Sequence, residues 1–169
     1  MKLINWINKV TKLNQSTMTE FQNNIENGKQ DKIVEGTWTP ILDTLEGKTP
    51  TVTYTTQIGT YKKIGTLVYI DFYIRAKITK LNGTENYGII SGLPFEVNAS
   101  KYLCQQPITL GSLYQLLENE INANLIITNN KKIRIQVDYG MTAGKLKVTP
   151  TEGVGYCQIS GFGWYETNN

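Results

Sequence analysis

Apolar and polar residues follow two different periods along this 169-residue chain. Up to residue 25, apolar residues are spaced three and four apart, which is the pattern of a coiled-coil seam. From residue 36 onward, short segments alternate at every second position between Gly, Pro and Asn turns, which is typical of β-strands. We therefore predict a coiled-coil helix over residues 1–28, a polar connector over residues 29–35 and a β knob domain over residues 36–169.

The predicted helix carries an apolar stripe that no second helix in the sequence would cover. An isolated helix of this length is marginal in water, so the stripe needs a partner. Self-association is the simplest solution, and Ile at the seam with few Leu, together with a polar seam residue, favours a homotrimer. The predicted oligomerisation positions are Ile4, Ile7, Asn14, Met18, Phe21 and Ile25.

Other interpretations of this helix remain open. A frame through Leu3, Ile7, Val10 and Phe21 fits nearly as well, so the register can shift along the helix. The helix can also lie back on its own domain, although the downstream sequence shows no matching helix. A membrane-surface helix is the weakest alternative, because Lys and Asn are spread around the helix. No signal-peptide core or long apolar run is present, so we expect synthesis in a cytoplasm without membrane insertion.

The longest alternating segment, Thr66 to Ile78, predicts one buried face and one wet or interfacial face. The residues of the buried parity are Val68, Ile70, Phe72, Ile74, Ala76 and Ile78. Regular short strands without crossover helices indicate a mainly β fold, an antiparallel β-sandwich that is jelly-roll-like. Leu113 to Ile121 has helical propensity among these strands and predicts a short helical or irregular insertion.

The composition excludes many kinds of catalysis. The chain has no histidine, which removes Ser-His-Asp and Cys-His arrangements, and Cys104 and Cys157 lack the spacing of a zinc site. The net charge of +3 is spread over scattered lysines, and only Arg75 and Arg134 could supply the planar fork that recognises bases. We therefore expect no nucleic-acid binding, no cofactor, no metal and no enzymatic activity.

Paired carboxylates and paired glycines are the remaining patterns that could indicate catalysis or phosphate binding, and both also have structural explanations. A sugar-cleaving enzyme needs two carboxylates across the scissile bond. The candidates are Asp71, Glu118, Glu120 and Asp138, each equally expected as a surface charge. Gly161 and Gly163 lie inside a β-pattern, where glycine allows a bulky neighbour or another chain to approach, so we do not predict a phosphate loop.

Aromatic side chains are the groups best suited to recognition. The chain has 10 Tyr and 3 Trp, whose flat apolar faces with a polar edge stack on sugar rings or pack between subunits. Trp38 and Trp164, near the two ends of the β domain, are predicted as core or interface residues. Tyr102 and Tyr114, in the less regular middle of the domain, are predicted as receptor contacts.

Four segments of the β domain, taken in their order along the chain, resemble segments of a known protein family. They are residues 36–40 (GTWTP), residues 54–65 (YTTQIGTYKKIG), residues 90–95 (ISGLPF) and residues 159–165 (ISGFGWY). Together they resemble the tail-fibre and receptor-binding fibre tip domains of bacteriophages. The resemblance implies a homotrimeric β-sandwich tip on a coiled-coil stalk that attaches to a host-surface saccharide or protein, and it transfers no catalytic residue.

The short predicted stalk leaves the position on the virion open. The chain fits the tip of a tail fibre, a head fibre on the capsid, a decoration or adaptor protein, or a fibre-tip depolymerase. Leu3, Trp6 and Val10 lie off the favoured seam and are predicted to dock on other virion proteins. The expected location is therefore the virion surface, after synthesis in the host cytoplasm.

Overall fold

The computed structural model describes residues 32–98, 106–118, 122–128, 132–137, 142–150 and 155–168. The chain divides into two units, Met1–Lys32 and Ile33–Asn169, and the strands below all belong to the second. The predicted helix over residues 1–28 and residues 29–31 of the predicted connector lie outside the described residues. The last three connector residues, 33–35, already belong to the first strand, so the β domain begins earlier than the sequence predicted. The coiled coil and the trimer therefore stay predictions.

The described residues form ten strands and no helix. The strands are β1 (Ile33–Trp38), β2 (Ile41–Thr44), β3 (Thr51–Ile64), β4 (Leu67–Lys80), β5 (Gly88–Ser91), β6 (Gln106–Tyr114), β7 (Asn124–Thr128), β8 (Lys132–Val137), β9 (Thr142–Ala143) and β10 (Cys157–Glu166). They lie in the order β1-β3-β4-β10-β6-β7-β8-β5-β2, with β9 beside β8, and every pairing is antiparallel.

Strand β6 joins the two halves of this sheet. Its C-terminal part, from Thr109 to Tyr114, pairs with β10, and its N-terminal part, from Gln106 to Ile108, pairs with β7. We call β1, β3, β4 and β10 the first half and β7, β8, β5 and β2 the second half. The prediction of a mainly β, antiparallel domain is confirmed, but the sheet is one continuous half-barrel where the sequence predicted a two-sheet sandwich.

The inner face of β4 forms the centre of the core. The six positions of the predicted buried parity, from Val68 to Ile78, are all buried, which confirms that prediction. Their β-branched and aromatic side chains suit a pleated, buried surface. They pack with buried residues of the second half, including Leu125, Ile133 and Ile135. The curl of the sheet therefore serves to close one hydrophobic core.

Two glycines in β10 leave room for large side chains of β6 and β7. A Cβ atom on Gly161 would lie 2.6 Å from Leu125 Cδ1, and one on Gly163 would lie 2.6 Å from Ile108 Cδ1. Both residues occupy inward positions of the strand, so a side chain there would enter space that the core already fills. The prediction that these glycines admit a bulky neighbour is confirmed.

The two edge strands of the sheet are consecutive in the sequence. Only Thr39 and Pro40 separate β1 from β2, although these strands lie at opposite ends of the strand order. Two hydrogen bonds tie this corner to β3, because Gln57 Nε2 donates to Pro40 O at 2.9 Å and the backbone N–H of Leu42 donates to Tyr54 Oη at 2.9 Å. The sheet therefore curls until its two edges meet at one corner.

The segment predicted as a helical or irregular insertion begins as a strand. Leu113 and Tyr114 are the last residues of β6, and Gln115 to Glu118 are irregular, with Leu117 forming a bridge to Leu146. Residues 119–121 lie outside the described part of the chain. Of the two cysteines, Cys157 is buried and its thiol donates to Ala76 O at 3.2 Å, and Cys104 lies outside the described residues.

A buried tyrosine makes the stability of the domain sensitive to alkaline pH. Tyr165 is fully buried, and its hydroxyl accepts from Phe95 N–H and donates to Phe95 O, both at 3.2 Å. Burial raises the pKa of Tyr165 well above its ordinary value near 10, and burial also raises the pKa of Tyr54. Above about pH 10 the tyrosine hydroxyls of the unfolded chain lose their protons, whereas Tyr165 and Tyr54 of the folded domain keep theirs.

We therefore expect the free energy of unfolding to be unaffected by these tyrosines below about pH 10 and to fall as the pH rises further. The measurement is urea denaturation between pH 8 and pH 11. Tyr165→Phe should be less stable at pH 8, because it leaves the Phe95 N–H without its acceptor, yet it should lose less stability with rising pH than the parent. An equal alkaline slope in both proteins would contradict the assignment to Tyr165.

Candidate functional site

The four segments that resemble fibre tips meet on the inside of the sheet. Gly36 pairs with Tyr61 and Trp38 pairs with Gly59, so each aromatic ring covers a glycine on the neighbouring strand. Trp38 Nε1 also donates to Thr60 O and Asp71 O, both at 3.2 Å. The ring of Tyr61 then meets that of Phe95 edge-on at 5.1 Å. The inward-facing residues of these segments therefore pack the interior of the domain.

The opposite side of the first half is a broad surface that we call the outer face. Its residues follow from the register, because they pair across β1, β3, β4, β10 and the end of β6 at the positions that alternate with the buried ones. They are Ile33, Glu35, Thr37, Thr56, Ile58, Thr60, Lys62, Ile64, Leu67, Tyr69, Asp71, Tyr73, Arg75, Gln158, Ser160, Phe162, Trp164, Ser112 and Tyr114.

Exposed apolar side chains are concentrated on the outer face. Among the described residues, seven of the eleven large apolar side chains that are exposed belong to it. They are Ile33, Ile58, Ile64, Leu67, Tyr114, Phe162 and Trp164. Scattered exposed apolar residues are normal on protein surfaces, whereas a contiguous group marks an interaction surface. The outer face is therefore the candidate binding surface of this domain.

An aromatic strip runs along β10 on the outer face. Trp164 is 42% exposed and Phe162 is 44% exposed. The ring of Trp164 lies 4.9 Å from that of Tyr69 on β4, tilted by 58°. Neighbouring rings hold each other in place, so the indole is presented without a large loss of conformational freedom on binding. This strip can stack on a sugar ring or anchor a protein contact.

A polar row continues from the aromatic strip along the same strands. Tyr73 Oη donates to Gln158 Oε1 at 2.9 Å, and Gln158 Nε2 donates to Ser112 Oγ at 3.0 Å. The hydroxyls of Ser112 and Ser160 lie 2.8 Å apart. These groups fix one another's orientation and still retain hydroxyl lone pairs, which allows hydrogen bonding with a ligand.

Tyr114 lies on the outer face, at the end of β6, and is 37% exposed. Its ring is 5.7 Å from that of Tyr156, which in turn lies under the guanidinium of Arg75 at 3.7 Å. Tyr114 therefore belongs to an aromatic cluster beside the polar row, a position that fits the predicted role without testing it. Tyr102, the second predicted receptor contact, lies outside the described residues.

The predicted oligomerisation and docking residues are also outside the described part of the chain. These are Ile4, Ile7, Asn14, Met18, Phe21 and Ile25 for oligomerisation, and Leu3, Trp6 and Val10 for docking. The two tryptophans predicted as core or interface differ in the structure, because Trp38 is buried and Trp164 is exposed. Sequence reasoning did not single out Phe162 and Trp164 as a surface strip. The alternation of Phe162 and Trp164 with Gly161, Gly163 and Tyr165 is the sequence pattern that could have predicted this strip.

The candidates for catalysis are not brought together. Asp71 lies in the middle of β4 on the outer face, and Glu118 follows β6, where its backbone N–H donates to Lys145 O. Glu120 and Asp138 lie outside the described residues. Within the described ranges, no three Asp, Glu or Cys side chains lie close enough together to hold a metal ion. Arg75 and Arg134 belong to different halves of the sheet, on β4 and β8.

Comparison with known proteins finds no matching family model, no matching curated protein and no matching solved structure. The described residues contain no helix long and apolar enough to cross a membrane. The assignment of a function therefore depends on the surface chemistry of the outer face and on the resemblance of the four sequence segments.

Proposed function

We propose that this chain is a non-enzymatic virion fibre protein of a bacteriophage, a trimeric knob on a short coiled-coil stalk that attaches the particle to the host surface. The observation that supports this most strongly is the exposed strip of Phe162 and Trp164 beside the polar row of Gln158, Ser112 and Ser160. Such a surface offers binding groups, and the described residues of that row include no nucleophile paired with a base.

The geometry of the outer face suits attachment to an extended ligand. Trp, Tyr and Phe supply large contact areas at low entropic cost and dominate the energy of binding surfaces. The hydroxyl and amide groups beside them set the orientation of the ligand. Three copies on one stalk would bind together, so modest affinity at each copy would become strong retention on a cell surface.

The apolar end of the outer face suits contacts between copies. Ile33 pairs with Ile64, and Ile64 pairs with Leu67, so three exposed aliphatic side chains form one row across β1, β3 and β4. Aliphatic side chains stabilise a subunit interface when their apolar surface is buried, but they do not fix the orientation of a ligand by hydrogen bonds. In this proposal the row joins the knobs, and the aromatic strip remains available to the host receptor.

A head fibre or adaptor on the capsid is the second candidate. It would use the same surface for another virion protein and would show no retention on host cells. A fibre-tip depolymerase is the third, and it would release new reducing ends from host polysaccharide. Asp71 on the outer face gives this candidate one carboxylate, without a described partner across a cleft.

The test is the retention of the purified full-length chain on host cells, together with its mass in solution. We expect light scattering to give about three times 19.1 kDa and the chain to sediment with cells. Trp164→Ala should reduce retention at least tenfold, by analogy with aromatic hot spots worth about 2 kcal/mol or more. The trimer mass should not change, because the substituted ring lies outside the aliphatic row.

Tyr87→Ala is the matched control, since Tyr87 is an aromatic residue directly before β5, away from the outer face and beside Lys145. It should leave retention unchanged. A monomer at micromolar concentration would overturn the trimer, and equal retention for Trp164→Ala and its parent would overturn the assignment of the strip. Retention on other virion proteins without retention on cells would favour the adaptor.

A further inference from the structure

Within the described part of the chain, Arg75 on the outer face has no acidic partner. The guanidinium of Arg75 packs on the ring of Tyr156, 3.7 Å from its centroid. Among the described residues it makes no ion pair and no hydrogen bond, and its Nε is buried without a partner. A buried polar atom without a hydrogen-bond partner is unfavourable for folding. Stacking on Tyr156 therefore holds this arginine in place, and none of the described residues accepts a hydrogen bond from its guanidinium.

The described neighbours of Arg75 place no acid beside its guanidinium. Gln158 lies directly across from it on β10, but the carbonyl oxygen of that amide accepts from Tyr73 and the nitrogen donates to Ser112. The nearest acid on the same face of β4 is Asp71, four residues away, which corresponds to about 13 Å along a strand. Lys77, two residues in the other direction, adds a second positive charge.

Aromatic rings flank the cation on the side of β6. Tyr156 lies between Arg75 and Tyr114, and the ring of Tyr114 is tilted by 45° to that of Tyr156 and partly open to solvent. Arg75 is itself partly exposed. This corner of the outer face therefore combines the planar guanidinium of Arg75, the partly exposed ring of Tyr114 and the hydroxyls of the polar row.

We propose that this corner, formed by Arg75, Tyr156, Tyr114 and Gln158, binds an acidic sugar unit. A guanidinium fork matches the two oxygens of a carboxylate and makes charge-assisted hydrogen bonds that exceed neutral ones in strength. The open ring of Tyr114 packs on the apolar face of the sugar, and the serine hydroxyls reach the sugar hydroxyls. An acidic peptide would satisfy the arginine, but it would leave the ring and the hydroxyl row without a role.

This inference rests on the proposed attachment function for its biological meaning, since it names the chemistry of the receptor. Its test does not need cells. Ligand-observed NMR with the purified full-length chain and millimolar methyl glucuronide is compared with methyl glucoside, glucose 6-phosphate and N-acetylglutamate. We expect binding of the glucuronide, and binding of the neutral glucoside weaker by about 10–100-fold, the equivalent of one charge-assisted hydrogen bond pair.

Arg75→Gln should weaken glucuronide binding by a similar factor, and Arg75→Lys should not restore it, because lysine keeps the charge without the fork. Arg134→Gln is the matched control, since Arg134 also has a buried, unpartnered Nε but lies in the second half. It should bind like the parent. Each variant is first shown to retain the parent's thermal transition.

Binding of glucose 6-phosphate at the same strength would also support an anionic sugar and identify phosphate as an accepted anion. No glucuronide binding by the parent, equal binding of the neutral glucoside, equal binding of N-acetylglutamate, or equal losses in Arg75→Gln and Arg134→Gln would each overturn the inference. Cell retention that survives such a result would leave the attachment function standing and move its receptor contact to the aromatic strip.

Discussion

Gly161→Val is expected to lower the free energy of unfolding by about 3 kcal/mol or more, the upper range for overpacked cores. The Cβ atom alone would lie 2.6 Å from Leu125 Cδ1, 3.0 Å from Thr109 O and 3.1 Å from Phe72 Cε1. One of these contacts is with the backbone of the neighbouring strand, which cannot move without disturbing the β10–β6 pairing. The clash also separates the two halves of the curled sheet, so the core loses contacts on both sides.

The measurement is a thermal transition at fixed protein concentration, where we expect the midpoint to fall by about 10 °C. Phe162→Val, at the next position of the same strand, is the matched control, because its side chain points to the outer face and is exposed. That change should cost less than about 1 kcal/mol. Equal losses for the two variants would show that β10 does not present alternate faces to core and solvent.

The pattern of β4 could be predicted from the sequence because its signal is local. Alternation at every second position over the whole strand decides which side chains are buried before any partner strand is known. The same reasoning identified Gly161 and Gly163 as sites of close approach. Each of these conclusions needs only the chain geometry of one strand and the size of its side chains.

The pairing of strands could not be predicted, because it is set by contacts between residues far apart in the sequence. Strand β10 lies between β4 and β6, and β6 passes from one half of the sheet to the other, which curls the sheet into a half-barrel. Local alternation is the same in a sandwich and in a curled sheet. The prediction of strands was therefore more secure than the prediction of how they are arranged.

The candidate binding surface was harder to predict than the core, for a related reason. In β10 both parities contain large apolar residues, since Ile159 and Tyr165 alternate with Phe162 and Trp164. Only the glycines distinguish the inner parity, because they leave room for Leu125 and Ile108. Trp38 and Trp164 look equivalent in the sequence, yet one covers Gly59 inside the sheet and the other is exposed.

In the proposed assembly the predicted stalk would join the copies, and the outer face of the β domain would supply further contacts between them. Ile33, the first residue of β1, is exposed together with Ile64 and Leu67. A stalk that joins three copies ahead of this strand would favour contacts between their aliphatic rows by raising the local concentration of the knobs. The aromatic strip and the Arg75 corner need no partner copy to keep their geometry, because their contacts are made within one chain.

The paired substitutions Ile70→Ala and Ile58→Ala should separate the fold from the function of this sheet. Ile70 is fully buried on the inner face of β4, whereas Ile58 is 54% exposed on the outer face of β3. Removing the same three methyl and methylene carbons should cost about 2–5 kcal/mol at Ile70, where a cavity remains. The cost at Ile58 should be within about 0.5 kcal/mol, because water replaces the lost atoms.

Urea denaturation at one protein concentration measures both, and equal dependence on urea would show that the unfolded states are comparable. Similar costs at the two positions would contradict the assignment of inner and outer faces on which the proposed binding surface depends. If the two costs differ as predicted, Ile58→Ala is a folded variant whose only change lies on the outer face, next to Tyr73. A change in its cell retention could then be assigned to lost contacts at the surface, since the core would be intact.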